Sequence, residues 1–192
     1  MKEFLENTYY VDYTAPIIIQ KAKELFSEEM TDIEKAEKAF YFVRDEIPHS
    51  FDCDTTVVTA RASEVLEHKT GICHAKSNLL AALLRSQGIP AGFRYQHLTL
   101  AEDDSLGYCL HCYNAVFLEG KWIELDARGN KEGVDAQFSL TERKLAFMPR
   151  DEYDEYFIEG IFDKPDEETM KRLESAKNLG DVVRGLQDRC TR

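Results

Sequence analysis

The residue in this chain with the clearest chemical potential is Cys73, which follows Gly71-Ile72 at the predicted start of a helix. A thiol in the first turn of a helix faces unpaired backbone N–H groups and the positive end of the helix dipole. Both features lower the pKa of a thiol and favour the nucleophilic thiolate. Cys73 is therefore a candidate nucleophile. The alternative is a structural cysteine, because free cysteines are often buried.

Two further candidates, His111 and Asp126, lie on neighbouring predicted strands that are joined by a turn at residues 119–120. A two-residue turn opposes Tyr113 to Asp126 and makes His111 a diagonal neighbour of Asp126 on the same face of the sheet. Diagonal neighbours have Cα atoms roughly 7–8 Å apart, which is within reach of an imidazole–carboxylate hydrogen bond. An odd-length loop would change this alignment.

Together these three residues have the types that acyl transfer by a thiol requires. Cys73 would be the nucleophile, His111 the base that takes its proton, and Asp126 the group that orients the imidazole. Taken singly, His111 fits a hydrogen-bonded strand histidine and Asp126 a solvated strand end. Their combination with a cysteine at a helix start favours catalysis, so we predict a Cys73–His111–Asp126 triad.

The three residues belong to two longer stretches, GICHAKSNLLAALLRSQGIPA from Gly71 and HCYNAVFLEGKWIELDARGN from His111. The pattern is Gly-x-Cys opening a helix, Gly-Ile-Pro after it, a strand histidine, and Trp-x-x-x-Asp on the next strand. It resembles the core of the transglutaminase-like superfamily over about residues 62–130, as in a small bacterial-type single-domain member. The resemblance implies a papain-like fold and acyl transfer at amides through a thioester intermediate, with Cys73, His111 and Asp126 as the triad.

Three positions depart from the family pattern: His74 after the cysteine, Tyr113 in place of a tryptophan, and Ala127 in place of a proline. Eukaryotic cross-linking members carry further domains and need calcium, whereas this chain lacks room for those domains and has no EF-hand-like loop. The superfamily also includes proteases, peptide glycanases and inactive members. Hydrolysis by a peptidase or deamidase is therefore the expected reaction. The alternatives are transamidation and a catalytically silent binding module with the same fold.

Other residues are candidates for binding the substrate. The backbone N–H of Cys73 is a natural donor to an oxyanion because it lies at a helix start. His49, which follows Pro48, is a candidate second donor, with a surface histidine as the alternative. Tyr113 and Trp122 are candidates for substrate contact, with packing in the core as the alternative.

The spacing of apolar residues indicates which elements position these candidates. Apolar residues recur with the helical period of 3.6 in the first half of the chain and with the strand period of 2 after Pro90. This order predicts an α+β fold, in which the cysteine-bearing helix packs on an antiparallel β-sheet. We expect one domain over residues 1–192, with an N-terminal helical part (1–60), the core (62–130) and an acidic, helical C-terminal tail (151–192). The predicted elements are helices at 15–28, 31–47 and 72–87, strands at 91–100, 111–118 and 121–127, and a helix from Pro165.

The composition narrows the classes of partner. The chain has 192 residues, 43% of them hydrophobic, and a net charge of −12, which disfavours nucleic acid and anionic membranes as partners. The expected partner is a protein or peptide amide substrate, without a cofactor. Residues 151–168 hold nine acidic residues and one lysine, which suits a docking surface, a lid over the cleft or a solvated surface.

The five cysteines and the N-terminus indicate a location. An odd number of cysteines in a chain of this length favours a reducing, cytoplasmic setting, and the N-terminus shows no export signal. Cys109 and Cys112 have a CxxC spacing, but on a strand they point to opposite faces and supply only two of the four ligands of structural zinc. No metal site is therefore predicted.

Overall fold

The computed structural model describes residues 1–187 and shows a mixed helix–sheet architecture. Its four strands form one antiparallel sheet in the order β3-β2-β1-β4. The predicted α+β fold is confirmed. The strands are β1 (Ala91–Thr99), β2 (Tyr108–Leu118), β3 (Lys121–Leu125) and β4 (Tyr156–Phe162), and the helices are α1 (Pro16–Leu25), α2 (Asp32–Glu46), α3 (Ala62–His68), α4 (Cys73–Arg85), α5 (Glu167–Ser175) and α6 (Leu179–Gln187).

Helix α4 is the central element of the core. Every residue of this helix after Cys73 is buried, and it packs against α2, α3, β1 and β2. A helix without a polar, solvated face belongs in the interior of a protein. The chain leaves α4 through Gly88, whose φ of +75° suits glycine, and reaches β1 after Pro90. The helix therefore presents Cys73 from a rigid, buried support.

The hairpin of β2 and β3 has the predicted register. Leu118 pairs with Lys121 and Asn114 pairs with Leu125. The connecting residues Glu119 and Gly120 both have positive φ, 49° and 81°, which matches a two-residue turn whose twist suits a hairpin. This short turn fixes the register of the hairpin. Asp126, the residue after β3, therefore aligns with Tyr113, as predicted from the sequence.

The acidic segment contains a strand that was absent from the sequence prediction. Strand β4 pairs with β1 at the edge of the sheet, where Tyr95 lies opposite Ile158 and Phe93 opposite Phe162. Its side chains are half-buried or exposed without clear alternation, so the sequence carries no period-2 signal. Residues 156–162 of the segment are built into the sheet, and Glu155 just before them lines the cleft. The lid suggested for residues 151–168 is therefore wrong for the part of the segment that forms β4.

The C-terminal helices cover the loop that leads into α4. Helix α5 begins at Glu167, two residues after the predicted start, and the side chain of Asp166 caps it by accepting from the Thr169 N–H at 2.8 Å. Met170 and Leu173 of α5 form a second hydrophobic cluster with Ile72. Within residues 1–187, no helix is long and apolar enough to cross a membrane.

Candidate active site

Cys73 is held at the start of α4 by the loop that precedes it. His49 forms an isolated parallel bridge with Gly71, and the Ser50 N–H donates to the Gly71 carbonyl at 3.1 Å. A Cβ on Gly71 would lie 3.2 Å from both Ala75 Cβ and Thr59 Oγ1, which is tighter than ordinary packing. Glycine at this position therefore lets Ala75 of α4 and Thr59 of the segment before α3 pack closely against the chain at Gly71. Cys73 itself is partly exposed.

The imidazole of His111 and the carboxylate of Asp126 meet as the register requires. His111 Nε2 lies 2.8 Å from Asp126 Oδ2, and both side chains are buried. Asp126 also accepts from two backbone N–H groups, that of Arg128 at 3.1 Å and that of Ala146 at 3.0 Å. Burial opposes ionisation of Asp126, but His111 and these two donors hold the pKa of the carboxyl below its ordinary value.

The thiol of Cys73 lies beside the same imidazole. The imidazole and the backbone of Cys112 lie close enough to the thiol to act on its ionisation. Burial favours the neutral thiol, yet the nearby imidazole and the Cys112 N–H lower the pKa of Cys73 below its ordinary value. Burial also opposes a charge on His111, but Asp126 and Cys73 raise the pKa of the imidazole to about 10. Both directions favour a thiolate–imidazolium pair.

His49 reaches the site in a role different from the predicted one. We predicted that His49 and the Cys73 N–H both donate to the substrate oxyanion. Instead, the Cys73 N–H donates to His49 Nε2 at 3.1 Å. Burial, and then the charges of Arg128 and Lys76, lower the pKa of His49 well below its ordinary value, so the ring is neutral and has a lone pair to offer. His49 therefore accepts from the nucleophile's own backbone.

The two aromatic candidates for substrate contact lie elsewhere. Tyr113 is buried beneath the site, and its ring lies parallel to His111 with 6.3 Å between centroids. Trp122 packs its ring against Phe4 and Phe117 at the other end of β3, and neither Tyr113 nor Trp122 lines the cleft at Cys73. Both residues make the packing contacts of the alternative reading, and contact of either with a substrate stays a prediction.

A cleft of about 770 Å³ opens in front of Cys73 and His111. Both of its arginines are paired with carboxylates: Arg128 forms a fork with Asp52, and Arg150 Nη2 lies 2.9 Å from Glu155 Oε1. The rest of its lining is mostly apolar, including Phe51, Leu98, Leu100, Leu110, Phe147 and Met148. These residues come from loops and strand ends, where no periodic pattern in the sequence identifies them.

Three other cysteines lie within the described residues, and they belong to no metal-binding cluster. Cys109 lines the cleft, whereas the strand register places Cys112 on the opposite face of β2, as predicted for a regular strand. Among residues 1–187 no cluster of three or more histidine, cysteine, aspartate or glutamate side chains has the geometry to hold a metal ion. Cys190 lies outside the described residues.

Two solved structures are similar to this chain. A proposed cysteine protease from Cytophaga hutchinsonii is similar in structure, with a TM-score of 0.51 and 18% identity over 65% of this chain and 40% of that one. A protein described as a TGase shares 18% identity over 69% of this chain and 35% of that one, with a TM-score of 0.40. This chain thus spans less than half the length of either protein, and the first likeness shows the fold alone.

None of the curated proteins compared with the chain matches it. The sequence model of the Transglutaminase-like superfamily, in contrast, matches residues 19–127. That match covers more than half of the chain, including Cys73, His111 and Asp126. The chain therefore belongs to the transglutaminase-like superfamily.

Proposed function

We propose that this protein is a thiol-dependent amide hydrolase, a peptidase or a deamidase, in which Cys73, His111 and Asp126 form the catalytic triad. The observation that carries the proposal is the pair of contacts on one imidazole. His111 Nε2 lies 2.8 Å from Asp126 Oδ2, and the same ring lies beside the Cys73 thiol and lowers its pKa. This is the relation of nucleophile, base and orienting group that acyl transfer by a thiol needs.

The acylation step follows from this pair. The Cys73 thiolate attacks the carbonyl carbon of the amide, and the C–N bond of the resulting tetrahedral intermediate breaks. The His111 imidazolium gives its proton to the leaving nitrogen, which departs as ammonia or an amine. The substrate's acyl group remains as a thioester on Cys73. Asp126 stabilises the charged imidazole before this transfer and fixes which ring nitrogen faces the sulfur.

Water completes the cycle. The neutral imidazole takes a proton from a water molecule as its oxygen attacks the thioester carbonyl, and the C–S bond breaks to release the carboxylic acid. The Cys73 thiolate and the His111 imidazolium are then restored. The open cleft in front of Cys73 supports water as the acceptor, because solvent reaches the thioester directly.

The lining of the cleft supports a peptide or protein segment as the substrate. Phe51 and Met148 line it and are 44% and 54% exposed, so apolar surface is available beside the nucleophile. Arg128 and Arg150 are engaged by carboxylates and do not offer a free charge for an anionic substrate. Apolar side chains of a peptide therefore match these walls better than a small charged metabolite does.

The test uses a library of peptide 4-nitroanilides and glutamine-containing peptides with the wild-type protein, Cys73→Ala and Cys53→Ala. We expect turnover by the wild type and Cys53→Ala, and none by Cys73→Ala, because Cys73 is the thiol that His111 activates. Rapid acid quench followed by peptide mass analysis should find the acyl group on Cys73. Turnover that survives Cys73→Ala would rule out the proposal.

A primary amine added to the same assay separates hydrolysis from transamidation. With water as the acceptor, the carboxylic acid remains the main product and the amide of the added amine stays minor. If the amine adduct dominates at millimolar amine, the enzyme is a transamidating enzyme instead.

A further inference from the structure

A lysine that the triad does not use is buried one turn after the nucleophile. Lys76 on α4 is fully buried, and its ammonium group lies in a cage of backbone carbonyls. Nζ donates to the carbonyls of Ile47 and Arg128, the latter at 2.8 Å, and lies 3.5 Å from that of Arg44. These carbonyls come from two different segments, the end of α2 and the loop after β3.

The burial of this lysine has no evident value for stability alone. A buried cation loses its hydration, and an apolar side chain of similar volume is often as stabilising or more so. Burial and the nearby charge of Arg128 lower the pKa of Lys76 to about 7, which shows the cost of keeping the charge there. The ammonium group supplies three N–H donors, which a methionine side chain lacks. These donors suffice for three carbonyls, two at the negative end of the α2 dipole and one in the loop after β3.

The carbonyls that Lys76 binds belong to the segments that carry the rest of the site. The backbone of Arg128 binds both residues: its carbonyl accepts from Lys76 Nζ, and its N–H donates to Asp126 Oδ1 at 3.1 Å. Ile47 is two residues before His49, whose ring accepts from the Cys73 N–H. Lys76 lies on the same helix as Cys73 and binds the Arg128 carbonyl, and the Arg128 N–H binds Asp126. Asp126 in turn binds His111, which lies beside Cys73.

We propose that Lys76 is a positioning residue that holds the Asp126 loop, and through it His111, in register with Cys73. The effect of Lys76 on catalysis rests on the proposed function. Its effect on the alignment of Asp126 with His111 does not. The groups that act on the ionisation of His111 are Asp126 and Cys73, and His49 is close enough to interact with it electrostatically. Lys76 touches none of the reacting atoms and acts through the loop.

The test compares Lys76→Met with the wild type by two readouts. Iodoacetamide labelling of Cys73 at about pH 6 should slow by about tenfold or more, since a rise of one unit in the thiol pKa lowers the thiolate fraction tenfold. The Cε1 proton of His111, followed by NMR across pH, should show a lower pKa than in the wild type, because a loosened Asp126 stabilises the imidazolium less.

Two further variants separate positioning from loss of stability. Leu84→Ala removes buried volume from the same helix, three turns away from Cys73, and should destabilise the fold while leaving the labelling rate within about twofold. Lys76→Gln keeps an N–H donor on a shorter side chain, so it should give values between those of the wild type and Lys76→Met.

The NMR readout keeps this inference apart from the proposed function. If Cys73 of the wild type labels no faster than Cys53, the proposed nucleophile fails, and the His111 titration still decides the role of Lys76. If the pKa of His111 and the labelling rate in Lys76→Met and Lys76→Gln equal those of the wild type, Lys76 only fills space and the inference is overturned.

Discussion

At the scale of single residues, a carboxylate, an imidazole and a thiol are aligned by contacts of different origin. The His111–Asp126 pair was predictable from the sequence, because a two-residue turn fixes the hairpin register and the register fixes which side chains are diagonal. The N–H groups of Arg128 and Ala146 that hold Asp126 were not predictable, because they come from irregular loops. The acceptor role of His49 depends on the neutral state of its ring, which follows from burial that no sequence pattern reveals.

The ionisation of this pair predicts a bell-shaped dependence of kcat/KM on pH. Activity should rise as pH passes upward through the lowered pKa of Cys73, because the thiolate forms there. It should fall as pH passes through the raised pKa of His111, because the imidazolium is lost there. In Asp126→Asn the descending limb should move to lower pH, since the carboxylate that raises the pKa of His111 is gone.

Initial rates of 4-nitroanilide cleavage between about pH 4 and 11 measure this profile. A matched control is Glu132→Gln, which removes a carboxylate exposed to solvent and should leave both limbs in place. A flat profile, or an Asp126→Asn profile that coincides with the wild type, would contradict an ion-pair mechanism.

At the scale of the elements, α4 and the C-terminal helices decide how firmly Cys73 is presented. A helix at 72–87 and a helix from Pro165 were predicted from the sequence, and both form as α4 and α5. Strand β4 was missed because an edge strand with exposed side chains has no alternating pattern. Its pairing with β1 comes from contacts distant in sequence, which local patterns do not encode.

The packing of α5 against the loop before Cys73 predicts a stability effect. Met170 is fully buried against Ile72 and its neighbours, so Met170→Ala should lower the free energy of unfolding by about 2–5 kcal/mol. Lys171→Ala, on the exposed side of the same helix, should change it by less than about 0.5 kcal/mol. Urea unfolding of both variants gives the comparison, and equal values would mean that α5 does not support the core.

At the scale of the whole molecule, the sheet and α4 form the base of a cleft in a strongly acidic protein. The net charge is −12, while the two arginines that line the cleft are each paired with a carboxylate. We expect the negative electrostatic potential of the protein surface to affect the rate at which a charged substrate approaches. The apolar walls of the cleft would affect how tightly it binds. The charge was evident from composition, but the internal pairing of Arg128 with Asp52 joins residues far apart in sequence and needed the fold.

This field predicts a charge preference in substrates that depends on salt. Of two 4-nitroanilides that differ only in a remote lysine or glutamate, the cationic one should have the higher kcat/KM at low ionic strength. The difference should shrink as salt increases, since the Debye length falls to about 10 Å at 0.1 M. Assays of the pair at low and high salt measure it, and a ratio that salt does not change would refute steering by the net charge.

The central claim is that Cys73 is a nucleophile activated by His111. The most direct measurement is brief labelling of the native protein with iodoacetamide at about pH 6, with each cysteine peptide read by mass spectrometry. An unperturbed thiol, with a pKa of about 8.5, is almost wholly protonated and reacts slowly at this pH. The account predicts that Cys73 labels much faster than Cys53 and that His111→Ala, still folded, removes the difference. Equal rates for Cys73 and Cys53 in the wild-type protein would contradict it.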